Sequence, residues 1–147
     1  MKKYRLTEES IDYCGHTLHR IQALRDFGNV KAGELGGWIE GEHNLSHEGH
    51  AWVRSNAVVF GNAVVFGDAS IIKNDDYMVF KNWWSSGRYF TWTRSNNMWR
   101  VGCFFGTDEE LVKKAYKDSE VSGREYLRIV NYVREILEKE PLTPPML

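Results

Sequence analysis

From Leu35 onward the apolar positions of the chain recur every six residues. In blocks of six the stretch reads LGGWIE, GEHNLS, HEGHAW, VRSNAV, VFGNAV, VFGDAS and IIKNDD. The first position carries Leu35, Gly41, His47, Val53, Val59, Val65 and Ile71. The fifth carries Ile39, Leu45, Ala51, Ala57, Ala63 and Ala69 before it fails at Asp75. Asn or Asp recurs at the fourth position, at Asn44, Asn56, Asn62, Asp68 and Asn74. A period of six belongs neither to a helix nor to a plain alternating strand. Three short strands per coil would give a triangular solenoid with about 18 residues per turn. The pattern therefore predicts a short left-handed parallel β-helix over 35–76, with Leu35, Val53 and Ile71 stacked in one file. Small residues would line its corners, and Asn, Asp and Gly would take up the turn geometry. Seven blocks make little more than two coils, so both open ends need covers.

The flanking segments supply candidates for those covers. Residues 1–34 read as capping strands: Tyr4 to Leu6 and His16 to Leu24 partly alternate, with turn residues at Asp12–Gly15 and Asp26–Asn29. Residues 77–147 lose the six-residue period. Tyr77–Phe80, Arg88–Arg94 and Met98–Phe105 read as strands, the last two joined through Ser95-Asn96-Asn97. Thr107 with Glu110 forms a capping box for a helix to about Lys117. Ser122 with Glu125 forms a second, for a helix to about Lys139. Tyr126, Ile129, Val130, Val133, Ile136 and Leu137 share one face of that helix. The expected fold class is α+β: a short left-handed β-helix, N-terminal capping strands and a C-terminal ββαα module.

Bulk properties narrow the function. With 147 residues, 42% hydrophobic and 27% charged, the composition is globular. A net charge of −1 gives no overall attraction to nucleic acid or anionic membrane, so an electrostatic partner must be met by a local patch. No stretch approaches a membrane span and no secretory leader is apparent. Two cysteines, Cys14 and Cys103, fit a reducing cytoplasm better than a disulfide framework.

The aromatic content, 14% with six tryptophans, changes the picture most. Trp83, Trp84, Trp92 and Trp99 fall close together, among Tyr89, Phe90, Phe104 and Phe105. Lys81, Arg88, Arg94 and Arg100 interleave with them, Lys73 lies just upstream, and no acidic residue occurs between Asp76 and Asp108. Strands bearing arginines and rings on one face can stack bases and neutralise phosphate. Alternation puts Arg88, Phe90, Trp92 and Arg94 on one such face. The competing reading makes these rings the core beneath the two helices, with only one or two left exposed. The candidate binding set is Trp83, Trp84, Arg88, Phe90, Trp92, Arg94, Trp99 and Arg100, joined by Phe60 and Phe66 on the outer face of the repeat.

Catalytic constellations are sparse. His43, His47 and His50 suggest a zinc site or a general base, but they fall at block positions three, one and four, which need not converge. Cys103 has no histidine beside it in sequence, and the glycines at 33, 36 and 37 match no phosphate-loop or dinucleotide pattern. No cofactor is expected.

Lys3 to Glu8, Arg20 to Gly33, Leu35 to Ile39 and Asn44 to Ser46, together with Ser86 to Trp92 and Val101 to Leu111, resemble hexapeptide-repeat proteins of bacteria and their phages. Longer members are commonly labelled acyltransferases or polymer-forming proteins. In acyltransferases of this type a histidine acts as general base in the groove between trimer subunits, whereas two coils make a short wall for an acyl carrier. The resemblance implies a phage-type, non-catalytic binding or inhibitor protein in the host cytoplasm. Counter-defence is one expectation: blocking a host nuclease such as a CRISPR effector (an anti-CRISPR), or sequestering a signalling nucleotide. The expected partners are a host protein or a nucleotide or nucleic acid on the aromatic-basic face, with no membrane and a homodimer or homotrimer through Phe60 and Phe66. The alternatives are a hexapeptide-repeat acyltransferase and a purely structural oligomerisation module.

Overall fold

The computed structural model describes residues 2–145. Met1 and the last two residues of the expected 77–147 module lie outside them. The chain opens with an antiparallel hairpin, β1 (Tyr4–Tyr13) and β2 (His16–Ala23). Cys14 and Gly15 make its two-residue turn, both at positive φ (52° and 84°), the hand that matches strand twist. β3 (Leu35–Ile39) joins the other edge of β2 in antiparallel register, Arg20 opposite Trp38 and His19 opposite Ile39.

Beyond β3 the strands shorten to two residues each: β4 (Trp52–Val53), β5 (Val58–Val59) and β6 (Ser70–Ile71). β5 pairs in parallel with β3, completing a mixed four-stranded sheet in the order β1-β2-β3-β5. β4 and β6 form a separate parallel pair. The expected left-handed parallel β-helix over 35–76 is thus corrected: its residues are divided between a mixed sheet and a two-stranded ribbon, with no solenoid sheet. The reason is local. The hairpin presents a ready antiparallel edge that captures Leu35–Ile39, so Leu35 pairs with Gln22 and lies 54% exposed instead of stacking on Val53. A short 3-10 turn at Glu42–Asn44 then breaks the period. Trp38 meets Val58, and Leu45 meets Val65, at a longer spacing than Val53 to Ile71.

The core of this half is nevertheless built from the periodic positions. Ile39, Leu45, Ala51, Ala57, Ala63 and Ala69 are buried with Val53, Val59, Val65 and Ile71, around Trp52, Tyr4 and Phe27. Gly37 is required here by close approach, because a methyl on it would collide with the Ala57 carbonyl and the Val53 side chain. Asn44 fixes one corner by accepting from the Glu40 and Gly41 N–H groups and donating to the Ala63 carbonyl. Asp76 does the same accepting work at the next corner, from Ile72 and Lys73.

The C-terminal half is a four-stranded antiparallel sheet of β7 (Tyr77–Lys81), β8 (Tyr89–Thr93), β9 (Met98–Val101) and β10 (Phe104–Gly106), in the order β10-β9-β8-β7. The expected single strand Met98–Phe105 is divided by a turn at Gly102-Cys103, with Gly102 at φ 57°. Two helices follow, α1 (Asp108–Asp118) and α2 (Glu120–Ile136). Thr107 and Glu110 cap α1 reciprocally. α2 starts earlier than its expected cap: Ser119, not Ser122, is the N-cap and accepts from the Ser122 N–H. Gly123 lets the helices touch, since a methyl there would overlap the Tyr116 ring. Among the described residues no helix is long and apolar enough to cross a membrane.

The two halves meet through β8, which is covered on both faces. Phe90 and Trp92 face the helices with Trp99, Leu111, Val112, Tyr126, Val130 and Val133. On the other side the Thr91 hydroxyl accepts from the Val64 N–H, and Tyr77 donates its hydroxyl to the Val58 carbonyl. Ser95 accepts from the Ser70 N–H.

Candidate functional site

The aromatic-basic stretch from Trp83 to Arg100 sorts into three groups. Phe90, Trp92 and Trp99 are core, at 1%, 0% and 0% exposure, and cannot meet a partner. Trp92 donates its indole N–H to Asn97 at 2.8 Å. Trp99 donates its own to the buried Asp108 carboxylate at 2.6 Å, and that carboxylate also holds Arg134 at 2.8 Å. Alternation puts Phe90 and Trp92 on one face of β8, and that face is the one the helices cover.

A second group has structural employment inside the chain. Arg94 donates to the Asp75 carbonyl and lies over the Trp92 ring. Arg100 sits 4.1 Å from the centroid of Phe66, whose ring also meets Phe105 edge-on at 5.0 Å. Phe60 is covered by Tyr13 and His16. Phe60 and Phe66, expected as an outward surface, are therefore the points where the N-terminal hairpin and the C-terminal sheet dock. Trp84 is half-buried against Tyr126, with its indole N–H donated to the Ser122 hydroxyl.

Trp83 and Arg88 remain. Trp83 is 71% exposed, at the edge of Trp84. Both belong to the 82–88 connection between β7 and β8. Asn82 closes it by donating its backbone N–H to the Arg88 carbonyl and accepting from Gly87 and Ser85. The Arg88 guanidinium lies over Gly102, where a methyl would collide with it. Among the described residues it has no carboxylate partner.

Beside Arg88 opens a cleft of roughly 640 Å³ between the 82–88 connection, the β9–β10 turn and the start of α2. Its floor is apolar, from Val101, Phe104, Leu111 and Ala115. The charged lining residues are Arg88, Lys114 and Asp118, of which Lys114 and Asp118 pair with each other at 3.5 Å. The cleft therefore carries one uncompensated positive charge, on Arg88. Tyr126 stands at its inner end with its hydroxyl bonded to Asn82, and burial raises its pKa. A second depression of about 660 Å³ runs along α2, but its lining balances Arg128 and Lys139 against Glu135 and Glu138.

The three histidines of the repeat do not converge. His43 bonds the Gly61 carbonyl at 2.8 Å, and His50 is exposed beside Gly28. His47 is fully engaged: its Nδ1 accepts from the Lys3 backbone N–H at 3.1 Å, which leaves Nε2 to donate to Glu42 at 2.7 Å. Among the described residues no group of three or more His, Cys, Asp or Glu stands close enough to hold a metal ion.

His47 belongs to a cluster with Lys3 and Tyr4 that no spacing in the sequence announces. Lys3 has no exposed surface; its ammonium donates to the Ala51 carbonyl at 2.6 Å and lies 5.0 Å from the centre of the Phe27 ring. Burial first, and the nearby Arg25 charge second, push its pKa down to about 8. Tyr4 stacks on His47 at 4.1 Å and donates its hydroxyl to the Leu45 carbonyl at 2.6 Å. Hydrogen bonds from His47 and Lys2 hold the Glu42 carboxyl below the usual range. A single lysine near the chain start carried no signal of this; only the fold brings residues 3, 27 and 51 together.

No family model matches the chain. A stretch of 69 residues is 40% identical to a protein of Escherichia coli (strain K12) named "Uncharacterized acetyltransferase YdcK". The match covers 41% of this chain and 21% of that protein, so the chain spans about a fifth of the relative's length. The likeness is thus to an acetyltransferase-named bacterial protein. The expected phage origin and the inhibitor, anti-CRISPR and counter-defence roles came from the resemblance, and neither this fold nor this match supports them.

Proposed function

We propose that the chain is a non-catalytic binding protein whose working site is the cleft between the 82–88 connection, the β9–β10 turn and the two helices. The observation that carries this reading is Arg88, an arginine without an acidic partner among the described residues, at the mouth of a cleft of roughly 640 Å³. That volume is in the range of small-molecule sites, about 300–1,000 Å³, and an apolar floor with a few convergent polar groups is their usual lining. The Lys2–Asp76 segment serves as the scaffold that holds β8 from behind. A reducing, cytoplasmic setting fits the reading, since Cys14 and Cys103 are both exposed free thiols.

The experiment is a thermal-shift screen of a metabolite library on the whole chain, repeated with Ser86→Trp, which would fill the cleft from an exposed loop position. Compounds that raise the Tm of the wild type and leave Ser86→Trp unmoved support the site. Compounds that shift both equally, or none at all, overturn it. The name of the E. coli relative favours acetyl transfer as a second reading. Against it, both ring nitrogens of His47 are engaged within the fold, so a base role would require its bond to Glu42 or to Lys3 to break. Acetyl-CoA binding that is abolished by His47→Ala would replace the binding reading with the enzymatic one.

A further inference from the structure

We infer that the ligand of this cleft is a phosphate monoester of nucleotide size, an inference that rests on the proposal that the cleft is the working site. The basis is the hydrogen-bond balance of the lining. The Ser86 hydroxyl accepts from the Arg88 N–H at 3.2 Å, and the Ser119 hydroxyl from the Ser122 N–H at 3.0 Å. The Ser122 hydroxyl accepts from the Trp84 indole at 2.9 Å, and the Tyr126 hydroxyl from the Asn82 amide at 3.4 Å. Each hydroxyl is engaged as an acceptor, and each keeps its own hydrogen to give away. Among the described residues none of the four donates to a protein acceptor.

Around the same cleft stand the guanidinium of Arg88, with five N–H donors, and the ammonium of Lys114. The one charged acceptor of the lining, Asp118, pairs with Lys114 through one of its oxygens. The cleft is rich in donors and poor in acceptors, so its complement is a group made of acceptors. A phosphate monoester presents three oxygens and a charge near −2, and a guanidinium grips two of those oxygens at once. A single carboxylate would leave most of the hydroxyl hydrogens without partners. The apolar floor of Val101, Phe104 and Leu111 then asks for a body that is not itself strongly hydrated, which favours a nucleoside over a sugar.

Cys103 provides a native reporter, because it lines the cleft while Cys14, also exposed, lies at the β1–β2 turn. The rates of thiol modification by a disulfide reagent are followed at both cysteines of the full chain, with AMP, adenosine, glucose 6-phosphate or inorganic phosphate present. AMP is expected to slow Cys103 at least tenfold relative to Cys14, at a concentration where adenosine and inorganic phosphate have little effect. Arg88→Gln is expected to raise the AMP concentration needed at least tenfold. Protection by glucose 6-phosphate equal to that by AMP retains the phosphate ester and removes the nucleoside, which overturns the size and body of the inferred ligand. Equal protection by adenosine and AMP overturns the phosphate. If no phosphate protects Cys103 while a neutral compound from the library screen does, the inference fails and the cleft as working site stands. If no phosphate protects Cys103 and the screen is also empty, both fall together.

Discussion

Lys3 puts an ionisable amine in the core of the N-terminal half, and the stability of the protein should show its titration. In the fold its pKa is about 8; in the unfolded chain a lysine titrates near 10.4. Between those values the unfolded chain holds a proton that the folded chain has lost, so stability rises with pH through this window and is flat below it. The full gap is worth roughly 3 kcal/mol at 1.36 kcal/mol per pH unit, of which about 2 kcal/mol is gained between pH 7 and 9.5. Burial raises the pKa of Tyr4, Tyr77 and Tyr126, Tyr77 to about 12. Their effect has the opposite sign: they favour the fold below about pH 10 and lose that contribution above it, offsetting about 0.5 kcal/mol by pH 9.5. The net expectation is a rise of about 1.5 kcal/mol, read from urea unfolding followed by tryptophan fluorescence. Lys3→Met is the control. It removes the charge but leaves the Ala51 carbonyl without its donor, at a cost of about 1–3 kcal/mol, so its stability at pH 7 should stay near that of the wild type. Its pH slope should vanish or reverse. A wild type and Lys3→Met with the same slope between pH 7 and 9.5 would refute the assignment of this titration to Lys3.

Other substitutions test the C-terminal half. Asp108→Ala strands the Trp99 indole N–H and the Arg134 guanidinium together, and should cost about 3–5 kcal/mol in urea unfolding. Gly123→Ala gains up to about 1 kcal/mol of helix propensity but drives a methyl into the Tyr116 ring. It should be net destabilising by about 1–2 kcal/mol, with Tm as the readout. Ser119→Ala removes the observed N-cap of α2 and should lower stability by about 1 kcal/mol, whereas Ser119→Asp should keep it within a few tenths.

What could be read along the chain and what could not divides on a physical line. The buried set of the N-terminal half follows from local pattern, because small and aliphatic residues at fixed intervals go inward whatever the pairing. The pairing does not follow, since it depends on which edge reaches Leu35–Ile39 first, and the β1–β2 hairpin is the local, low-entropy competitor. The same limit explains the misplaced surface. Alternation in β8 separates Phe90 and Trp92 from Thr91 and Thr93, and a strand with threonines on one side reads as half-solvated. Yet Thr91 and Thr93 are 1% and 4% exposed, because the Val64 N–H and the Asn96 side chain satisfy their hydroxyls. With both faces of β8 consumed, Arg94 at its trailing end is half-buried over Trp92, and the exposed guanidinium of the strand is the one at its leading end, Arg88. The cleft it overlooks draws Ser86 from one connection, Cys103 from another turn, and Ser119 and Ser122 from a helix start where sequence sees only caps. A site assembled from separate termini has no linear spacing to betray it. The unspent hydrogens of its hydroxyls become visible only when every acceptor around them has been assigned.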